Sequence, residues 1–592
     1  MHSESILKPK LWRVLQPDAA LEVELARTLP VSPILCRIIA NRGIQTQSQA
    51  HRFLNPDMND LYNPSLMDGM DWAIMRTRQA LDRSEKIMIH GDYDVDGITS
   101  TALLVRVFRL LGADVSWYIP HRQKEGYDIG LPAVEVAKER GVNLIITVDC
   151  GTSAVEAIDR ARSLGMDVIV TDHHEVGRNI APANVIINPH RPECPYPFKN
   201  LAGVGVAFKF AEALIRECGY DVNAYRRRFC DLAAIGTVAD VVPLLDENRT
   251  LVKFGMEELP RTGKKGLRAL MDVAGITGRP ITSTMIAFML SPRMNAAGRL
   301  DDAAVALNLL LSTDEREARE LAETLDAQNK ERQAEQERIT KEALACITDG
   351  RLDETSKVLV LSSRGWHSGI VGIVASKITD RYNRPSILVA MDESGEAGVG
   401  SARSIATFDV FGALMQCSHL LERCGGHARA AGLSITKDKL SDFNAEINRI
   451  ADELLTEADL MPQIEIDAEL DIDSVNHNLA REMDLLEPFG HCNRQPIFVS
   501  KCALILQKTK MGSTGSHLKL KLGGSSNRSV DCVAFGWGES EEAFRLGSLI
   551  DLCYNIQINQ FGGKENVQAV LRDARISDAV ISEPYPTADN VV

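Results

Sequence analysis

The sequence predicts an α/β protein of several domains: one built on a mostly parallel sheet, a smaller α/β domain joined to it by a long helix, and a C-terminal all-β barrel. Three observations predict it. First, the Ile- and Val-rich runs KIMIH (86–90), VSWYI (115–119), NLIITVD (143–149), DVIVTD (167–172) and NVIINP (184–189) alternate with segments of helical period such as 100–111 and 132–140. Continuous apolar strands separated by helices belong to a parallel sheet covered on both faces. Second, DEREARELAETLDAQNKERQAEQERITKEA, from Asp314 to Ala343, contains no Gly or Pro and reads as one connecting helix, a solvated spacer between domains. Third, the runs IFVSKCALILQK, HLKLKL, VDCVAFGW, IDLCYNIQI and VQAVLRDARI alternate polar and apolar residues, as the strands of a small barrel do.

Between helix and barrel a second α/β pattern is read from VLVLSS (358–363), a helix over 369–382, SILVA (386–390) and the glycine-rich pieces GVGSARS (398–404) and CGGHARAAG (424–432). In IEIDAELDID, Ile464, Ile466, Ala468, Leu470 and Ile472 alternate with five acids. This reads as a half-buried strand with a solvated acidic edge rather than a metal site.

Composition sets the outer bounds. A chain of 592 residues suggests roughly three to four domains. With 45% apolar and 25% charged residues it is neither disordered nor fibrous. No run approaches the eighteen or so apolar residues of a membrane span, and MHSESILKPKLWRV lacks the apolar core of a signal peptide, so a cytoplasmic chain without membrane association is expected. Twelve cysteines without a C-x-x-C pair read as reduced thiols, mostly buried. A net charge of −15 argues against binding nucleic acid by bulk positive charge. Locally the balance differs: 501–530 carries six basic residues and no acid, and is suited to face a polyanion.

In parallel sheets the chemistry gathers at the carboxyl ends of the strands. There the sequence places His90 with Asp92, Asp94 and Asp96, then His121 with Arg122, then Asp149, then Asp172 with His173 and His174. The aspartates of HGDYDVDG (90–97) suggest an EF-hand, but the twelfth position is Leu103 rather than glutamate, which rejects it. Imidazole and carboxylate together suit Mn²⁺, Fe²⁺ or Zn²⁺. Asp240 in AAIGTVADVVPL completes a set that would be costly to assemble without metal. Two divalent ions about 3.5–4 Å apart, and hence phosphoester hydrolysis, are expected.

At these residues the chain resembles the DHH phosphoesterases, through His90-x-x-x-Asp94-x-Asp96, Asp149, Asp172-His173-His174 and Asp240. PHRxxEGYDIG (120–130), PRMNAAGRL (292–300), GWHSGIVGIVAS (365–376), GSARS (400–404), GGHARAAG (425–432) and LEPFG (486–490) extend the resemblance, over about 45–575, to the RecJ branch of single-strand-specific 5′→3′ exonucleases. It implies a DHH catalytic domain (48–311) after an N-terminal segment (1–47), a connecting helix (312–348), a DHHA1-type substrate-binding domain (349–457), an OB-fold domain (458–578) and a tail (579–592). It further implies two ions, Mn²⁺ or Mg²⁺, one held by His90, Asp94 and Asp149, the other by Asp96, Asp149, His173 and Asp240. Asp92 and His174 would support them, the second donating a hydrogen bond to the phosphate. Arg122, Tyr127, Arg293, Asn295, Ser401 and Arg403 match positions that hold backbone phosphates, including a terminal 5′-phosphate. His427 with Gly426, in a glycine-rich loop, would lie close to the nucleic acid, while Trp366 and His367 fix a loop. In the barrel, Lys508, Lys510, His517, Lys519 and Lys521 are the groove candidates. GHCN (490–493) departs from the family pattern at His491 and Cys492.

The implied activity is degradation of single-stranded DNA to 5′-mononucleotides in recombination and repair, by a monomer. A cleft between two domains would admit one strand and exclude a duplex, so single-strand-binding protein and a RecQ-type helicase are the implied partners. A short-oligonucleotide phosphodiesterase or manganese pyrophosphatase lacks the third, β-rich region. A non-catalytic replication scaffold of this fold loses metal ligands that are all present here.

Overall fold

The computed structural model describes residues 10–122, 124–300, 302–348, 356–526, 528–561 and 564–577; the expected tail (579–592) lies outside them. The chain forms two compact units, one from Met58–Met461 and one joining the residues up to Asp57 to those from Pro462. The N-terminal piece of the second unit is β1 (Leu11–Val14) and helices α1 (Ala19–Thr28), α2 (Pro33–Asn41) and α3 (Gln47–Leu54). Residues 48–57, placed with the catalytic domain by the sequence reading, therefore pack with the N-terminal segment.

The unit Met58–Met461 opens with α4 (Met70–Asp82) and then alternates β2 (Ile87–Gly91), α5 (Val95–Leu110), β3 (Val115–Tyr118), α6 (Leu131–Arg140), β4 (Leu144–Val148), α7 (Val155–Ser163), β5 (Asp167–Thr171) and β6 (Val185–Ile187). The strands form an all-parallel sheet in the order β3-β2-β4-β5-β6. Along β2 and β4 alternate side chains enter opposite cores. Ile87, Ile89, Leu144 and Ile146 join one cluster, and Met88 and Ile145 pack with α6 and α7 on the other face. Apolar residues on both faces are why these strands read as unbroken runs. The strand order reverses between β2 and β4, which opens a crevice at their carboxyl ends.

The first core is closed by α8 (Gly203–Glu217), α9 (Val222–Ala239), α10 (Asp246–Glu258) and α11 (Lys265–Val273). A short α12 (Ser283–Met285) runs through a π-helical turn (Ile286–Leu290) into α13 (Ser291–Leu300), followed by α14 (Ala304–Leu311) and the long α15 (Glu315–Thr348). Here the structure corrects a reading. The long helix is not a solvated spacer: Ala318, Ala322, Leu325, Asn329, Arg332, Gln336, Ile339 and Ala343 form a buried stripe. Small and polar residues at helical spacing escape a search for large apolar ones.

The second sheet comprises β7 (Leu359–Arg364), β8 (Ser386–Met391), β9 (Ala397–Arg403), β10 (Arg423–His427) and β11 (Ala430–Thr436), in the order β10-β11-β9-β8-β7. Helices α16 (Ser368–Tyr382), α17 (Val410–Gln416) and α18 (Leu440–Leu454) accompany it. Only β7 and β8 pair in parallel. GGHARAAG is thus an antiparallel hairpin, not a glycine-rich loop, with His427 opposite Ala430. Trp366 is buried and its Nε1 donates to Glu342 at 2.8 Å, while His367 caps α16 by accepting from the Gly369 amide.

The C-terminal piece contains β12 (Gln463–Ile466), β13 (Ala468–Glu469), α19 (His477–Asp484), β14 (Phe498–Met511), β15 (His517–Gly523), β16 (Ser529–Ala534), β17 (Leu549–Phe561) and β18 (Lys564–Ile576). Strands β14-β15-β16-β18-β17 close through β14–β17 pairing into a five-stranded barrel, and β1 pairs in parallel with β12. The acidic run is two short strands rather than one, and its acids do not form a uniformly solvated edge. Asp467 is fully buried, with Arg42 Nη1 at 2.7 Å and the Ile497 amide at 3.1 Å. The acid-free segment is also less positive than its composition. Lys501 pairs with Glu469, Lys508 and Lys510 with Glu541, and Lys519 with Asp531 at 2.8 Å, acids that lie outside the segment in sequence.

Removing one partner of a buried ion pair leaves an uncompensated charge, which costs about 3–5 kcal/mol. Asp467→Ala is expected to lower the unfolding free energy of its unit by that amount in denaturant titrations, whereas Glu24→Ala, at an exposed site, changes it by about 0.5 kcal/mol or less.

Candidate metal centre

The crevice at the carboxyl ends of β2, β4 and β5 gathers seven ligand-type side chains. Three sets of donor atoms lie within 4.8 Å of one another: Asp92, Asp94 and Asp149; Asp96, His173 and Asp240; Asp149, His173 and His174. His173 Nε2 is 3.1 Å from Asp149 Oδ1, 3.7 Å from Asp240 Oδ2 and 3.9 Å from Asp96 Oδ2. His90 stands apart from these sets. It is fully buried at the end of β2, stacked on Tyr118, with Cys150 Sγ 3.5 Å from Nδ1 and Nε2 unpartnered. Asp92 and His174, read from the sequence as supporting groups, fall within donor sets.

Local structure fixes each group. Asp94 is the N-cap of α5, accepting from the amides of Asp96 and Gly97 through Oδ1. Asp96, in the first turn of α5, accepts from the Gly203 and Val204 amides at 2.6 and 2.9 Å, so the N-terminus of α8 is spent on a carboxylate. Two glycines make the approach possible. A Cβ at Gly203 would lie 2.7 Å from the Asp149 side chain, and one at Gly236, in α9, 2.7 Å from Asp96 Oδ1. Asp149 follows β4 with φ of 61°, a left-handed conformation that costs a non-glycine residue about 1–3 kcal/mol and that strained functional sites retain. Asp172 Oδ1 accepts from the amides of His173 and His174 and lies 2.8 Å from His174 Nδ1, while Oδ2 accepts from the Thr152 amide. Asp240 is the C-cap of α9.

The electrostatics are those of a site short of positive charge. Burial and the neighbouring carboxylates push Asp92 up to about 8 and Asp240 up to about 7, and hold Asp96 and Asp149 well above the usual carboxylate range. Burial lowers His90 and His173 to about 4, keeping both imidazoles neutral and free to ligate. Burial also works against a charged His174, but the bond to Asp172 prevails and raises it to about 9. His90 Nε2, Asp92 Oδ1, Asp149 Oδ1, His173 Nε2 and Asp240 Oδ2 are buried without a hydrogen-bond partner. Neutral imidazoles and carboxylates with unsatisfied inward atoms are the donor set that divalent cations take.

A rim of arginines adjoins the donors. Arg299, half-buried, is lowered to about 10 by burial and by Arg122, Arg332 and Arg403, and feels Asp94 as its attractive neighbour. Its Nη1 donates to the Gly369 carbonyl, tying α13 to α16. Arg122 lies over the Tyr93 ring at 5.0 Å. Arg403 Nη1 donates to Ser401 Oγ at 2.8 Å. The half-exposed Tyr127 places its hydroxyl 3.0 Å from His174 Nδ1. Other expected residues lie differently. Arg293 Nε is taken by Asp326 at 2.9 Å and Nη1 by the Met289 carbonyl; Asn295 is half-buried on α13; His427 is exposed on β10; Lys519 belongs to the other unit. The sequence reading missed Arg299, inside a motif it quoted, and Arg332, on the helix it took for a spacer. It also missed the Gly203 and Val204 amides, whose signal was the glycine pair in AGVGVAF.

Above about pH 7.5, His90 and His173 are neutral in the folded chain and almost wholly so in the unfolded one, while Asp92 and His174 hold protons in the folded state that the unfolded chain releases. Stability linked to those protons is present at the low end of the window and lost toward about 9. In chelator the melting temperature is therefore expected to fall across this range, less steeply for Asp92→Asn; a rise would contradict the crowding described.

The family models for the DHH family N-terminal domain, the DHHA1 domain and the RecJ OB domain match residues 86–237, 355–453 and 466–573. The chain is 40% identical over 567 residues, 96% of its length and 71% of the relative's, to the single-stranded-DNA-specific exonuclease RecJ of Bacillus subtilis. It is 35% identical over 572 residues to that of Escherichia coli, covering 93% and 97% of the two chains. The crystal structure of Thermus thermophilus RecJ in complex with Mn²⁺ superposes with a TM-score of 0.82 at 32% identity, over 96% of this chain and 80% of that one. These likenesses span both units and every motif of the crevice, and the chain belongs to the RecJ family of single-stranded-DNA-specific exonucleases.

Proposed function

We propose that this chain is a divalent-metal-dependent exonuclease that degrades single-stranded DNA 5′→3′ to 5′-mononucleotides and acts in recombination and repair. The observation that carries this reading is the set of unpartnered carboxylate and imidazole atoms aimed into one crevice, with an arginine rim beside it. In this reading His90, Asp94 and Asp149 hold one Mn²⁺ or Mg²⁺, and Asp96, Asp149, His173 and Asp240 hold the other. Bound, the two ions supply a water of lowered pKa and charge stabilisation for the attacking and leaving oxygens. His174, kept protonated by Asp172, donates from its imidazolium to the phosphate as negative charge builds. Asp92 orients the donors beside it. Arg122, Arg403 and Ser401 hold the 5′-phosphate, with Arg299 behind them, while Tyr127 sets the orientation of His174. Arg293 acts by tying α13 to α15.

Residues 48–311 and 349–457 are read as the catalytic and substrate-binding domains around the helix 312–348, the second with His427 as an outlying contact, and 458–578 as a DNA-binding OB-fold domain with Lys519 as another. Among the described residues no helix is long and apolar enough to cross a membrane. We place the protein in the cytoplasm as a monomer, working on strands opened by a RecQ-type helicase and covered by single-strand-binding protein, because single-strand specificity requires such a supply.

Digestion of single strands labelled separately at each end is expected to release 5′-labelled mononucleotide at once, to retain the 3′ label until late, to spare blunt duplex and to stop in chelator. Hydrolysis confined to dinucleotides or pyrophosphate would overturn the reading. Arg403→Ala is expected to raise KM about ten- to a hundredfold for 5′-phosphorylated strands, the loss of one or two charge-assisted hydrogen bonds, and to change KM little for 5′-hydroxyl strands.

A further inference from the structure

A second basic concavity lies on the catalytic domain, away from the crevice. Its volume is about 430 Å³, and its lining includes six cations, Arg106, Arg109, Arg227, Arg228, Arg261 and Lys264, against two carboxylates, Asp231 and Glu258. Arg106 and Arg109 come from the carboxyl-terminal end of α5, and Arg227 and Arg228 from the first half of α9. These helices carry Asp96 and Asp240 at their other ends, thirteen residues before Arg109 and twelve after Arg228. At 1.5 Å per residue the pocket is about 20 Å from the metal donors.

Both carboxylates are already engaged. Asp231 is buried, with Lys264 Nζ 2.8 Å from each of its oxygens and the Thr262 hydroxyl donating at 2.7 Å. Glu258 pairs with Arg261 at 3.2 Å. Arg106 donates through Nε and Nη2 to the Leu310 carbonyl. Among the described residues, Arg109, Arg227 and Arg228 form no ion pair with any carboxylate, and all three are exposed. Three uncompensated guanidinium groups beside a partly buried fourth, on a chain whose net charge is −15, repel one another. Burial lowers the Arg106 pKa, Asp231 opposes that, and Arg228 and Arg109 push it in the same direction as burial. An anion relieves that repulsion, and the planar fork of arginine matches phosphate oxygens in pairs. The volume is that of a small-molecule site, about 300–1,000 Å³, larger than one phosphate needs.

We propose that this pocket is an anion site separate from the DNA cleft, binding a diphosphate group, either as inorganic pyrophosphate or carried on a nucleoside diphosphate. Arg109, Arg227 and Arg228 supply the forks, and Arg106 the charge at the pocket's base.

Calorimetric titration of the full chain with inorganic pyrophosphate and, separately, with ADP, both in chelator, tests this. Saturable binding is expected, weakened about tenfold or more by Arg228→Ala and further by Arg109→Ala/Arg228→Ala, and unchanged by Arg403→Ala in the DNA cleft. Tighter binding of ADP than of pyrophosphate assigns the site to a nucleotide, and equal binding assigns it to the free diphosphate. The double variant should melt at or above the parent temperature, because the repulsion among the arginines is relieved, and digest single strands at the parent rate, which separates this site from the nuclease reading. No saturable binding, or binding abolished by Arg403→Ala and untouched by Arg228→Ala, would overturn the proposal.

Discussion

Negative charge crowded at the end of one parallel sheet is the constraint on which the rest of this structure turns. Asp92, Asp96 and Asp149 are buried together, with Asp94 and Asp240 at their edge, and burial disfavours the ionised forms of Asp92, Asp96, Asp149 and Asp240. The protein holds them largely with fixed dipoles. Asp94 caps α5, Asp96 takes two amides from the start of α8, and Asp149 is locked in a left-handed turn after β4. Asp92 Oδ1, Asp149 Oδ1 and Asp240 Oδ2 are left buried without a partner, on residues whose donor atoms cluster as a divalent cation requires.

The surroundings follow from that core. Asp172 uses one oxygen to align His173 and His174 through their amides and to keep His174 protonated, so two adjacent imidazoles reach opposite charge states. Arg122, Arg299, Arg332 and Arg403 come from four separated stretches of chain, and their mutual repulsion is balanced only in part by Asp94. In the function proposed above, Arg122 and Arg403 beside the metal donors give the crevice a second means of holding a phosphodiester. The buried stripe of α15 carries part of this arrangement, with Arg332 held along the helix by Asn329 and Gln336, and Asp326 tying Arg293 of α13 to it.

Much of this was legible in the sequence, for a physical reason. Strands covered on both faces leave unbroken apolar runs, so β2, β4 and β5 announced themselves, and the polar groups that followed them had to meet where the sheet opens. The carboxylates and imidazoles of the crevice could be named because such groups gathered behind apolar runs are costly to bury unless a cation compensates them, although the donor sets leave out His90 and take in Asp92 and His174. What escaped depended on partners distant in sequence. Lysines in an acid-free segment pair with acids from other elements, Asp467 in an apparently solvated acidic run is buried against Arg42, and β1 pairs with β12 from the far end of the chain. The backbone amides of Gly203 and Val204 were invisible because they carry no side-chain signature, and the π-helical turn before α13 has no pattern of its own.

The central claim is that these carboxylates and imidazoles are arranged around two divalent ions that share Asp149. Titration of the metal-free chain with Mn²⁺, followed by electron paramagnetic resonance of the unbound ion, tests it most directly. The account predicts two ions per chain in the parent and loss of tight binding of both in Asp149→Asn. A single site, or two sites that survive the substitution, would contradict it.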